Sequence, residues 1–162
     1  MKQALAIAIL VYLAFLAEFV LFNTFGRWGR PELLVLAVVF CNLYWGIRHS
    51  IWAAFIAGML KDAFSIEVFG TYLMVYITAA YLTTFIRNNF YQPGSRFSRA
   101  VVTFFVLVGI FVLETLMHMR FFDVRVGEAV AYILVPQVVA TMVAANFMFQ
   151  ALRDAVGKLK LN

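Results

Sequence analysis

The sequence predicts an all-α integral membrane protein, a bundle of about six transmembrane helices forming one membrane domain over residues 1–162. The first observation behind this prediction is composition: 65% of the residues are hydrophobic, 13% are charged and the mean hydropathy is +0.92. A soluble domain of this length cannot bury so much apolar surface. The second is that charged residues separate successive apolar segments, and the stretches between these segments are too short to form a domain with its own core.

The first apolar segment follows Lys2 and is predicted to be an uncleaved transmembrane helix. It is longer than the hydrophobic region of a signal peptide, and no small-x-small cleavage site follows it. The predicted helices cover residues 4–22, 33–47, 50–62, 69–86, 100–119 and 129–152.

The second and third segments are predicted to be two short helices joined by a tight turn at Arg48. Residues 33–60 are mostly apolar, but this charge lies in their middle, and one spanning helix needs about 20 residues. Each of the two helices is shorter than a full span. Tilting, the flanking Trp45 and Trp52, or a partly re-entrant hairpin must therefore supply the remaining length.

A stripe of small residues marks the third segment. Ala54 and Gly58 are four apart on one helix face, with Ala53 and Ala57 beside them. Such faces let two backbones approach closely in lipid. The sequence leaves two roles open, packing within the chain or contact with a second chain.

Ionisable residues interrupt the chain after this stripe, where Lys61, Asp62 and Glu67 lie between Gly58 and Gly70. An ionised group at membrane depth costs a few kcal/mol by insertion scales, so Asp62 requires a partner or a water-lined site.

Glu18 poses the same problem within the first helix. It is either protonated or reaching the interface, or it makes a polar contact with another helix or subunit.

Two further pairs stand at helical spacing. Tyr72 and Tyr76 share a face in the fourth segment, which is typical of core or interfacial packing, whereas Glu114 and His118 can share a proton or a hydrogen bond. With Cys41 as the single cysteine and two histidines in the whole chain, we expect no metal site and no cofactor.

In the sixth segment, Pro136 predicts a kink near Tyr132.

The net charge of +5 does not indicate nucleic-acid binding, because the basic residues punctuate apolar segments and form no basic, aromatic face. The positive-inside rule instead favours cytoplasmic N- and C-termini, with Asp62 and Glu67 on the outer side. The basic residues then placed inside are Lys2, Arg48, Arg87, Arg96, Arg99, Arg153, Lys158 and Lys160. Those placed outside are Arg27, Arg30, Lys61, Arg120 and Arg125.

An ordered set of short motifs runs through residues 31–70: Pro31-Glu32-Leu33-Leu34, then Gly46, then Gly58-Met-Leu-Lys-Asp62, and finally Phe69-Gly70. This order and spacing resemble the P-[DE]-L-L, G, G-x-x-x-D and G pattern of the rod shape-determining MreD family. Chain length, helix number and the basic fourth loop are similar as well.

The resemblance implies a non-catalytic scaffold in the bacterial inner membrane that supports peptidoglycan synthesis and rod shape. It implies an MreC-like membrane partner, alongside the MreB filament, the RodA glycosyltransferase, its cognate transpeptidase and membrane lipid. The family fold is similar to the substrate-binding subunits of energy-coupling-factor transporters. We expect the small-residue face to bind the partner's transmembrane helix and the loop from Asp62 to Gly70 to position its periplasmic segment. The residues expected to serve partner binding or the structural motif are Glu18, Ala54, Gly58, Asp62, Gly70, Tyr72 and Glu114.

The same residues bear on two other classes of function. A small-molecule-binding transporter subunit would use Glu18, Asp62 and Glu114 as polar contacts, but transport sites lie near the midplane and these carboxylates lie toward helix ends. An enzyme would need a nucleophile with a base or a metal with several ligands. The serines at positions 50, 65, 95 and 98 all lie in predicted turns or loops.

Overall fold

A computed structural model describes residues 2–25, 31–65, 68–90, 96–121 and 135–158. These residues form six helices, which confirms the all-helical prediction for the described part of the chain. In chain order the helices are α1 (Lys2–Phe25), α2 (Leu33–Trp45), α3 (Ile47–Phe64), α4 (Thr71–Phe90), α5 (Arg96–Phe121) and α6 (Val135–Lys158). Within the described ranges, two segments are long and apolar enough to cross a membrane, Gln3–Leu21 in α1 and Phe97–Leu116 in α5.

Helix α2 forms the centre of the fold. Every residue from Leu33 to Leu43 is buried, and the helix contacts the other five. A helix that is apolar on all sides is expected to be a buried one. Its 13 residues extend about 20 Å, less than the roughly 30 Å of a bilayer's hydrocarbon core. The surrounding helices therefore enclose α2.

The turn between α2 and α3 lies at Gly46, so the prediction of a turn at Arg48 is wrong. Gly46 has φ 86° and ψ 179°, a conformation open essentially only to glycine. Arg48 instead lies exposed in the first turn of α3. The charge marked the end of an apolar run, but the backbone reverses where a residue without a Cβ permits it.

Helix α3 continues to Phe64, so Lys61 and Asp62 lie within its last turns and are buried. The predicted small-residue stripe is also buried, because α4 covers it. Ala54 is inaccessible to solvent, and Gly58 lies against the backbone of Leu73. Packing within the chain, one of the two roles left open by the sequence, is the role observed.

The outer surface of the helices is strongly apolar. Large hydrophobic side chains more than 40% exposed lie on α1, α3, α4, α5 and α6, among them Leu13, Phe55, Tyr81, Phe104 and Val143. An exterior of this kind is expected to face lipid or a partner.

Pro136 is the second residue of α6 as described, in a first turn where the missing N–H is not needed by the helix. The predicted kink near Tyr132 lies outside the described residues.

Candidate functional site

Lys61 lies between two carboxylates in the protein interior. Its Nζ is 3.1 Å from Oε1 of Glu18 and 3.2 Å from Oε1 of Glu32, and each of the three side chains is at most 6% exposed. The three residues come from α3, from α1 and from the position preceding α2. Charges removed from water require such pairing, since an isolated ion in the interior costs several kcal/mol.

Helix α6 joins this arrangement through two polar side chains. Gln137 donates a hydrogen bond from Nε2 to Oε1 of Glu32 at 2.8 Å, and the backbone N–H of Glu32 donates to Oγ1 of Thr141 at 3.0 Å. The backbone N–H of Leu34 donates to Oε2 of Glu18 at 3.3 Å. We call Glu18, Glu32, Lys61 and Gln137 the Lys61 cluster, which links α1, α2, α3 and α6.

Two tyrosine rings of α4 complete the surroundings of the Lys61 ammonium. Nζ lies 4.9 Å from the ring centroid of Tyr72 and 5.6 Å from that of Tyr76. Both distances are within the range of cation–π attraction, which strengthens when the cation is removed from water. The tyrosine pair predicted to be core or interfacial therefore also contacts the buried cation.

The cluster has unused acceptor capacity at Glu32. Its Oε2 is buried and accepts no hydrogen bond from the described residues, and Glu32 lines a cavity of about 10 Å³ together with Glu114 and Gln137. That volume is at the lower limit for one water molecule. Among the described residues, the arrangement can hold helices together and accept one small donor in this cavity.

Asp62 has a separate task at the start of α4. Its Oδ2 accepts hydrogen bonds from the backbone N–H groups of Gly70 at 3.0 Å and Leu73 at 3.1 Å, and Oδ1 accepts from Tyr72 at 2.9 Å. These are N-terminal amides with no partner inside the helix, and a carboxylate there also interacts favourably with the helix dipole. Asp62 thus caps α4 across the loop that separates it from α3. Gly70, with φ 101°, permits that approach.

The structure brings together several of the residues that the sequence singled out. Glu18 makes the polar contact with another helix that was one of its two predicted roles, and Glu114 lies beside Glu32. The side chain of His118 lies outside the described residues, so its predicted pairing with Glu114 does too. Direct partner binding by the predicted residues stays a prediction, whereas their packing inside the chain is observed.

Sequence reasoning missed the roles of Glu32, Gln137 and Thr141. A signal for the last two was present, because they stand four apart in an otherwise apolar segment and so share one helix face. Within the described ranges, no three His, Cys, Asp or Glu residues are grouped so as to hold a metal ion.

The sequence model of the rod shape-determining protein MreD family matches residues 1–154. The chain belongs to the MreD family. The match covers all members of the Lys61 cluster and Asp62, and it confirms the family predicted from the motifs between residues 31 and 70. No curated protein and no solved structure matches the chain. Membership identifies a membrane-associated protein with a role in rod shape determination.

Proposed function

We propose that this MreD-family chain is a non-catalytic, multi-pass scaffold of the bacterial inner membrane, with both termini in the cytoplasm. It binds the transmembrane helix of an MreC-like partner and so supports peptidoglycan synthesis by the elongation machinery. One observation carries the proposal: within a shape-determining family, the buried charges of Glu18, Glu32 and Lys61 join helices of the same chain. Buried charged side chains that pair with one another stabilise the arrangement of the helices, which is the property that a scaffold requires.

The distribution of apolar surface supports several membrane crossings. Large hydrophobic side chains are exposed on five helices, and α2, which is too short to cross, is enclosed by the others. A chain with this distribution would aggregate in water and is suited to lipid on its outer side.

The partner's helix must pack on an outward face of the bundle. The stripe around Ala54 and Gly58 is covered by α4, and the Asp62 carboxylate accepts hydrogen bonds from Gly70 and from two amides in the first turn of α4. These residues therefore contribute to partner binding indirectly, by fixing how α3 and α4 present their outer faces.

Photo-crosslinking in native membranes tests the proposal and locates the face. A photoreactive amino acid is placed at one exposed apolar position on each outer helix, with the buried Tyr76 as the control position. The positions are Leu13, Phe55, Tyr81, Phe104 and Val143. We expect an MreC-like protein to be captured from one helix or from two neighbouring helices and not from position 76. Absence of that protein at all five positions would contradict the proposal.

A transporter subunit is the alternative, and affinity purification in mild detergent separates the two. Mass spectrometry of the purified sample should identify an MreC-like protein in near-stoichiometric amount. Paired ATPases or a retained vitamin-like molecule, without a wall-elongation partner, would instead identify a transporter subunit.

A further inference from the structure

The described charges divide between the two ends of the bundle. The carboxylates of Glu18, Glu32 and Asp62 lie at the end where α2 begins and α3 finishes, as the contacts of the Lys61 cluster show. At the opposite end, Arg87 donates from Nη1 to the carbonyl oxygen of Asn42 at 2.6 Å. Arg99 belongs to that second end, because it reaches Tyr44 in the last turn of α2.

Arg99 has no acidic partner among the side chains that the structure describes. Its Nη1 lies 3.4 Å from the hydroxyl oxygen of Tyr44, a long contact, and its Cζ lies 6.0 Å from the ring centroid of Phe149. Between described residues, the ion pairs are those that Lys61 makes with Glu18 and Glu32. A guanidinium carries five donors in a planar fork, and the described residues engage one of its nitrogen atoms, Nη1.

Arg99 lines a pocket of about 80 Å³ between α5 and α6. Asn146 and Gln150 line the same pocket, stand four apart on one face of α6, are exposed, and make no hydrogen bond within the described residues. Met142 and Ala145 supply an apolar wall. The pocket therefore combines a cation with no acidic partner among the described side chains, two amide side chains and an apolar surface.

We infer that this pocket binds the phosphate of an anionic membrane lipid. A guanidinium pairs with phosphate through two parallel hydrogen bonds, and amide N–H groups can donate to its remaining oxygens. Met142 and Ala145 then contact the first carbons of the acyl chains. This inference rests on the proposed membrane topology, in which the arginine-rich end faces the cytoplasm and lies at the level of the headgroups.

Native mass spectrometry of the purified chain, taken from nanodiscs of phosphatidylcholine containing a minor fraction of phosphatidylglycerol, tests the inference. We expect one retained phosphatidylglycerol, and we expect Arg99→Gln to lower its affinity about tenfold, the effect of losing a charge-assisted pair. Arg48→Gln is the matched control, because Arg48 is an exposed arginine in the first turn of α3 outside the pocket. Equal retention by the two variants would overturn the inference.

Folding and ligand source are controlled separately. The double variant Asn146→Leu/Gln150→Leu changes only exposed positions, so we expect it to fold normally. We also expect it to retain less phosphatidylglycerol than the unmodified chain, because the two amide donors are lost. Inorganic phosphate is the second probe, and binding of phosphate without retention of lipid would overturn the assignment to a lipid. If the crosslinking positions capture no MreC-like protein but the chain still retains phosphatidylglycerol, the proposed scaffold function is wrong and the lipid-binding pocket is supported.

Discussion

The backbones of Gly58 in α3 and Leu73 in α4 are in direct contact: a Cβ added at Gly58 would lie 2.5 Å from the Cα of Leu73. Because the obstacle is backbone, a side chain cannot move away to make room, and the two helices would have to separate. We predict that Gly58→Ala destabilises the protein by about 1–3 kcal/mol, the usual cost of overpacking. Thermal unfolding in detergent measures the effect.

Gly109→Ala is the matched control for this variant. A Cβ at Gly109 in α5 meets the end of the Leu82 side chain, which can change rotamer. Its melting temperature should fall less than that of Gly58→Ala. Equal effects at the two glycines would show that the α3–α4 contact is not as close as described.

Lys61 supports a second prediction, because its ammonium group lies between two buried carboxylates. Lys61→Met removes the cation that Glu18 and Glu32 both contact. Breaking a buried pair in this way costs about 3–5 kcal/mol. We expect a large drop in the melting temperature measured in detergent, or failure to accumulate in the membrane.

Two further variants separate charge imbalance from loss of the side chain itself. Arg48→Met removes an exposed cation and should leave the melting temperature nearly unchanged. Combining Lys61→Met with Glu18→Gln and Glu32→Gln removes all three charges and should recover much of the loss, since neutral replacement of a buried ionic group is often tolerated. A triple variant no more stable than Lys61→Met would show that charge imbalance is not the cause.

The sequence predicted where the charges lie but not which of them meet. Composition and spacing were sufficient for six helices and for the statement that Asp62 needs a partner, because the cost of burying an ion follows from the residue type alone. Pairing depends on tertiary structure. Glu32 and Gln137 are separated by 105 positions and meet because α6 packs against α2.

Asp62 carries the third prediction. Removing its three hydrogen bonds to the start of α4 by Asp62→Ala should cost about 1–2 kcal/mol, as for other N-terminal caps, whereas Asp62→Asn keeps an acceptor and should cost less. Hydrogen exchange should accelerate at the amides of Gly70, Tyr72 and Leu73 in the alanine variant. Unchanged exchange at these amides would contradict the capping role.

The expectation that Asp62 lies in an outer loop and meets a partner there illustrates a limit of sequence reasoning. A carboxylate beside two glycines reads equally well as an exposed recognition group and as a helix cap. The choice depends on whether the chain returns within reach of the side chain. Here Gly70 brings the first amides of α4 to Asp62, and the carboxylate is only 5% exposed.

The turn at Gly46 gives the last prediction. A Cβ at this position would meet nothing within 4 Å, so Gly46→Ala creates no clash, yet φ 86° with ψ 179° is strained for any residue that has a side chain. We expect a loss of about 1–3 kcal/mol that is purely conformational. Arg48→Ala, two residues on and exposed, should have little effect on the melting temperature in detergent. A loss from Arg48→Ala as large as the loss from Gly46→Ala would contradict this account, because only Gly46→Ala adds a Cβ to a backbone with positive φ.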